Sequence, residues 1–256
     1  MRNQLTGKSF LKHDLLVHSY EVGFNRRLSL PALFGYFQEI AWEHATQNDF
    51  GWEDLLDKGA FWALSRVKVE ISRLPMWTDR LELFTWPSGV DGLFALRDFL
   101  LFNNKGELLV SASSSWLIVD IKTRRPHRLD TFKRNFPINE QVRALQVNAG
   151  KVPSPSGELF SDIQVKVCQG DIDVNGHTNN MRYVEWVMNA FPLEFQKEFE
   201  PKTFEINFLH EGMEGDQCLI QSYKESLNSF VGTISNTNSQ KELARTHIVW
   251  QPISNC

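Results

Sequence analysis

The residues best suited to chemistry crowd into one stretch, Gly170-Asp171-Ile172-Asp173-Val174-Asn175-Gly176-His177-Thr178-Asn179-Asn180. Asp173, Asn175 and His177 alternate, so in an extended loop their side chains project to one side. A carboxylate, an amide and an imidazole on one face suit the addition of water to a carbonyl: the acid and the imidazole handle protons, and the amide steadies charge on oxygen. Such a reaction calls for a second acid, and His210-Glu211-Gly212 supplies one at the end of the strand that follows the next helix. The stretch also stands directly before an apolar helical run, where free backbone N–H groups and the positive end of the helix dipole favour developing negative charge.

Other readings compete for the same residues. Asp, Asn and Gly are turn formers, and Asn179 or Thr178 could simply cap the helix. Asp171, Asp173, Asn175 and Gly176 match the opening of a calcium loop, but the twelfth position, where a carboxylate must close the shell, is Arg182. Zinc held by His177, His210 and an acid is a further arrangement, with neither an H-E-x-x-H pair nor a cysteine cluster beside it. The catalytic reading uses no metal and no cofactor.

The elements that must hold this stretch follow from periodicity. In the run from Asn180 to Ala190, Met181, Tyr183, Val184, Trp186, Val187, Met188 and Ala190 cover most of a helical circumference, leaving Arg182, Glu185 and Asn189 as a polar stripe. That predicts a helix surrounded on most sides. A strand is predicted before it at Asp162–Val167, and four after it at 203–209, 217–225, 230–235 and 243–251.

The first half has the same order. A strand is predicted at Leu15–Val22, then a helix of about five turns from Leu30, Leu33, Phe34, Phe37, Ile40 and Ala41, with Ser29 as N-cap and Pro31 in its first turn. Strand formers follow at 61–73, 80–86, 93–102 and 108–121, the last two joined by the turn Asn103-Asn104-Lys105-Gly106. Before the first helix stand Gly23-Phe24-Asn25-Arg26-Arg27-Leu28-Ser29, without an acid or a histidine, so one active site per chain is expected. A strand, a long helix and four antiparallel strands, twice over, imply two helix-wrapped sheets of an α+β class. The Pro-, Ser- and Gly-rich stretch 137–157 reads as a linker, which divides the chain into 1–136, 137–157 and 158–256.

Composition narrows the classes. With 256 residues, 42% of them hydrophobic and including 19 Phe and 8 Trp, the chain can bury a core without disulfide or metal staples. Its 27 Lys+Arg against 31 Asp+Glu argue against a protein whose whole surface serves nucleic acid. Cys168, Cys218 and Cys256 are odd in number and widely spaced, as cytosolic thiols are. The sequence carries no signal-peptide stretch and no run of membrane-span length, so a cytoplasmic protein is expected.

Asp171-Ile-Asp-Val-Asn-Gly-His-Thr-Asn-Asn-Met-Arg-Tyr-Val-Glu-Trp186 closely resembles the D-x-N-x-H-x-N-N-x-x-Y-x-x-W signature of acyl-acyl carrier protein thioesterases. Ser19–Gly23 with the helix after it, Ser65–Asp79 and Ser115–Arg125 resemble the family's first domain in the same order. The resemblance implies a tandem double hot-dog, each domain a long helix wrapped by an antiparallel sheet, with the first half shaping the acyl pocket. It implies hydrolysis of the thioester between a fatty acyl chain and the phosphopantetheine arm of acyl carrier protein, and it leaves room for a homodimer. Carried over by position, the family's catalytic Asp, Asn, His and Glu fall on Asp173, Asn175, His177 and Glu211. Many plant members have Cys after this Glu where the present chain has Gly212, which favours direct attack by water.

The partner so implied is strongly acidic, and Lys122, Arg124, Arg125, Arg128, Lys133 and Arg134 form a candidate basic docking cluster. Hydrolysis of acyl-coenzyme A, a non-catalytic carrier-binding module and a dehydratase are the rival functions.

Overall fold

The computed structural model describes residues 2, 5–129 and 137–253. The chain divides into two compact units, residues 1–29 with 35–149, and residues 30–34 with 150–256. The predicted order holds in both halves. The first runs β1 (Leu11–Leu16), α1 (Leu30–Thr46), α2 (Trp52–Leu56), β2 (Ala60–Ile71), β3 (Arg80–Asp91), β4 (Phe94–Asn103) and β5 (Leu108–Asp120). The second runs β6 (Glu158–Lys166), α3 (Asn180–Asn189), α4 (Leu193–Glu198), β7 (Phe199–Phe208), β8 (Gln217–Lys224), β9 (Ser229–Asn236) and β10 (Glu242–Pro252). Strand neighbours run β1-β3-β4-β5-β2 in the first and β6-β8-β9-β10-β7 in the second, one topology used twice. All the registered pairs are antiparallel.

Alternation along the strands decides which face meets the helix. On β4, Phe99 stacks on Phe37 of α1 with ring centroids 4.6 Å apart, and Arg97 on the same face reaches His44 in the last turn of α1 at 3.1 Å. Leu100 and Phe102 point the other way, into a cluster with Leu5, Phe84 and Trp86. In the second unit α3 lies on β8 and β9, with Tyr183, Val184, Trp186 and Val187 buried. Beyond its end Phe191, Phe195, Phe230 and Trp250 pack edge to face or tilted at 4.7 to 5.6 Å. Phe191, Phe230 and Trp250 are buried, and full burial of side chains this large contributes about 1.5–3 kcal/mol each.

Three sequence expectations need correction. The first strand spans Leu11–Leu16, while Ser19–Glu21 form a 3-10 turn whose start is tied by the Glu21 carboxylate to the His18 N–H. β3 continues through Pro87, because the register shifts between Pro87 and Gly89 and β1 pairs only as far as Thr85, so the missing N–H falls on an edge. The short helices α2 and α4 were not predicted; five or six residues give too little periodicity to be seen.

The stretch 137–157 holds no regular element but is pinned along its length. In the first unit Ala144 N–H and Arg143 Nε donate to the Asp98 carboxylate at 2.8 and 3.1 Å, and Trp86 Nε1 donates to the Val142 carbonyl at 3.0 Å. In the second, Val152 N–H donates to Asn207 Oδ1 at 2.8 Å, and Ser156 N–H to Glu225 Oε1 at 2.7 Å.

Candidate active site

The polar stretch forms a tight turn rather than the extended loop that alternation suggested. Asp173 N–H donates to the His177 carbonyl at 2.8 Å, and Gly176 N–H donates to the Asp173 carbonyl at 3.0 Å. Gly176 takes φ +79°, a conformation that favours glycine. The Asp173 carboxylate organises this turn through Oδ1, which accepts from Asn175 N–H at 2.8 Å and His177 N–H at 3.4 Å. Asn175 stands exposed at the tip.

The turn leads into α3 through a proper cap, since Asn179 Oδ1 accepts from Met181 N–H at 3.0 Å. Arg182, the cation at the twelfth position of the calcium-like pattern, is used locally. Its Nε lies 3.3 Å from Asp171 Oδ1, and its two terminal nitrogens donate to Glu185 at 2.7 Å and to the Gly170 carbonyl at 3.1 Å. Asp171 Oδ2 meanwhile accepts from Cys168 N–H at 2.8 Å.

The second acid arrives from the end of β7. Thr178 N–H donates to the Gly212 carbonyl at 2.8 Å, and Gly212 N–H donates to the Tyr183 hydroxyl at 2.9 Å. Glu211 is thereby set beside the turn, with its Oε2 3.4 Å from His177 Nε2. Both groups stay open to solvent, their side chains 20% exposed for His177 and 41% for Glu211. The structure thus joins His177 to Glu211 directly and joins Asp173 to them through the backbone of the turn. His210 turns away, its Nδ1 2.8 Å from the Glu242 carbonyl.

The sequence reading placed Tyr183 on the helix and in the family signature but gave it no role of its own. A tyrosine on an otherwise apolar buried helix face is the available signal, because a buried hydroxyl needs a partner. Burial pushes its phenol up to about 12, so it stays protonated. Burial likewise raises the Cys218 thiol to about 11, which leaves it an inert core residue rather than a nucleophile. In the basic cluster Lys122, Arg124, Arg125 and Arg128 are exposed after β5, while Lys133 and Arg134 lie outside the described residues.

The chain is similar to known proteins in fold and in sequence. Over 96% of the chain the fold matches an acyl-ACP thioesterase from Bacteroides thetaiotaomicron, covering 100% of that chain, with a TM-score of 0.82 at 23% identity. It also matches the 12:0-ACP thioesterase from Umbellularia californica over 97% of the chain and 99% of the other, with a TM-score of 0.79 at 23% identity. Both are double hot-dogs, as is this chain. Among sequences, oleoyl-acyl carrier protein thioesterase 2 of Arabidopsis thaliana is 25% identical over 93% of this chain and 71% of its own length. An acyl-[acyl-carrier-protein] hydrolase of Cuphea viscosissima is 26% identical over 91% of this chain, which spans 58% of that relative. Residues 8–132 match the acyl-ACP thioesterase N-terminal domain and residues 156–252 the C-terminal domain, so the chain belongs to the acyl-ACP thioesterase family.

Proposed function

We propose that this protein hydrolyses the thioester between a fatty acyl chain and the phosphopantetheine arm of acyl carrier protein, releasing free fatty acid, with Asp173, Asn175, His177 and Glu211 as its machinery. The observation that carries the reading is the approach of Glu211 Oε2 to His177 Nε2, 3.4 Å apart beside a helix N-terminus although the two residues are distant in sequence.

The chemistry follows from that pair. Glu211 takes a proton from water as its oxygen adds to the thioester carbonyl, and His177 orients the attacking water and shares the proton. Negative charge gathers on the former carbonyl oxygen, where the Asn175 amide and the amino end of α3 oppose it. Collapse of the tetrahedral intermediate breaks the C–S bond, and the proton held by the Glu211–His177 pair passes to the departing sulfur. An alkyl thiol has a pKa near ~8.5, so the thiolate leaves without a metal to draw it off. Gly212 offers no thiol at the place of the plant cysteine, which favours direct attack by water.

Mass spectrometry of fatty acids released from a panel of acyl-carrier proteins tests the reading. Release by the wild type, lost about 100-fold in His177→Ala, is the expected result; a wild type that releases none from any chain length overturns it.

A further inference from the structure

Two hydrogen bonds donated by backbone N–H groups tie the segments that carry His177 and Glu211. Thr178 N–H belongs to the peptide that follows His177, and it donates to the Gly212 carbonyl at 2.8 Å. Gly212 N–H belongs to the peptide that follows Glu211, and it donates to the Tyr183 hydroxyl at 2.9 Å. Tyr183 cannot drift, being 2% exposed, with its ring wedged edge-on against Trp186 at 5.3 Å and Phe208 at 5.7 Å.

The first repeat is an internal control. There Leu28 N–H donates to the Pro75 carbonyl at 2.7 Å, the counterpart of the bond from Thr178 to Gly212. The second bond has no counterpart: proline has no N–H, and the helix position matching Tyr183 is Leu33, which has no hydroxyl. The hot-dog therefore closes this corner without a tyrosine, and the extra bond occurs in the repeat that carries the histidine and the acid.

Gly212 fits the same arrangement sterically. A Cβ at this position would lie 2.7 Å from both the Tyr183 hydroxyl and Thr178 Oγ1. A larger residue in this chain presses on the phenol that accepts from the Gly212 N–H and on the Thr178 hydroxyl.

We propose that Tyr183 is a positioning residue of the hydrolytic site, holding Glu211 against His177 through the Gly212 N–H. This rests on the thioesterase reading above. The hydroxyl touches neither substrate nor water in the reaction; it sets the place of the base, and a misplacement of about 1 Å costs on the order of 10²-fold in rate.

The test is steady-state kinetics on an acyl-carrier protein thioester with Tyr183→Phe, Gly212→Ala and the double variant, alongside the pH–rate profile of each. Tyr183→Phe is expected to lower kcat by about 10- to 100-fold with KM within twofold, and to shift the acid limb of the profile. Gly212→Ala should do the same, and the double variant should be no slower than Gly212→Ala alone, because both changes break one bond. Should Tyr183→Phe fail to fold, Gly212→Ala decides by the same readouts. An active wild type whose variants keep kcat and the pH profile, or whose losses multiply in the double variant, overturns the positioning role and leaves the thioesterase reading standing. A wild type without hydrolysis overturns both.

Discussion

Asp173 and Gly23 occupy the same step of two turns built on one backbone plan. Asp173 N–H donates to the His177 carbonyl at 2.8 Å, and Gly23 N–H to the Arg27 carbonyl at 3.0 Å. The left-handed residue of each turn follows at Gly176, φ +79°, and Arg26, φ +61°. Downstream, Met213 N–H donates to Asp216 Oδ2 at 2.9 Å and Met76 N–H to Asp79 Oδ2 at 2.8 Å. The first repeat has kept the scaffold of the site while Gly, Arg and Leu74 stand at the places of Asp173, His177 and Glu211.

On the proposed mechanism each chain has one centre, so removing its proposed base should remove nearly all turnover. Glu211→Gln is expected to cut kcat by ~10²–10⁴-fold, the worth of general acid–base catalysis. The first repeat has no carboxylate at the matching position to supply a remainder. Single-turnover release of fatty acid measures this directly, and a loss under tenfold would show that another group takes the proton.

The two acids should separate by their responses to amide replacement. Asp173 uses Oδ1 as an acceptor for two backbone N–H groups, and Asn presents the same oxygen, so Asp173→Asn should keep the turn. Its kcat is expected to stay within about tenfold of wild type, against the larger loss in Glu211→Gln. Asp173→Ala strips the acceptor and should cost about 1–3 kcal/mol of stability along with activity. Denaturant titration and kinetics on the two variants check the order; Asp173→Asn falling as far as Glu211→Gln would move the proton to Asp173.

Much of this was readable from residue types, and the remainder shows where such reading stops. The alternation in β6 and the apolar surface of α3 are local, so element order and the duplication emerged from the sequence. Asn103-Asn104-Lys105-Gly106 announced its turn, and Asn103 Oδ1 does accept from Lys105 and Glu107 N–H at 3.0 and 2.9 Å. The Asp173–His177 turn misled because alternating polar residues look alike in a strand and in a hydrogen-bonded turn; the positive φ at Gly176 decides between them. The Tyr183–Gly212 bond and the His44–Arg97 contact join distant segments, and no local pattern encodes the partner of a buried polar group.

His44 gives the fold a pH dependence with a defined sign. It is 2% exposed, its Nδ1 faces the buried Arg97 guanidinium at 3.1 Å, and burial with that neighbouring charge pushes its pKa from 6.5 down to about 4. Above pH 6.5 the histidine is neutral folded or unfolded and does not shift the balance. Between 6.5 and 4 the unfolded chain binds a proton that the folded chain refuses, so stability falls as pH falls, by on the order of 2–3 kcal/mol. His44→Gln has no proton to bind and should flatten this part of the curve, read from urea midpoints between pH 7 and 4. An unchanged slope would place the acid sensitivity in other groups.

The docking of an acidic carrier protein should be carried by the exposed basic residues after β5. Asp120 Oδ1 accepts from the Lys122 and Thr123 N–H groups at 3.0 and 2.7 Å, which shapes the turn that presents Lys122, Arg124 and Arg125. Arg124 lies over the Phe61 ring at 5.0 Å, an arrangement that holds its guanidinium in a defined place at the surface. Charges of this kind act on encounter and on salt dependence more than on the chemical step. Arg124→Glu with Arg125→Glu should therefore raise KM for the carrier-bound substrate by about tenfold at low salt, with kcat unchanged and with the gap to wild type closing as salt is added. Hydrolysis of an acyl-coenzyme A thioester, which shares the reacting bond but lacks the acidic protein, should change far less. Equal effects on both substrates, or none on either, would remove the carrier from this surface.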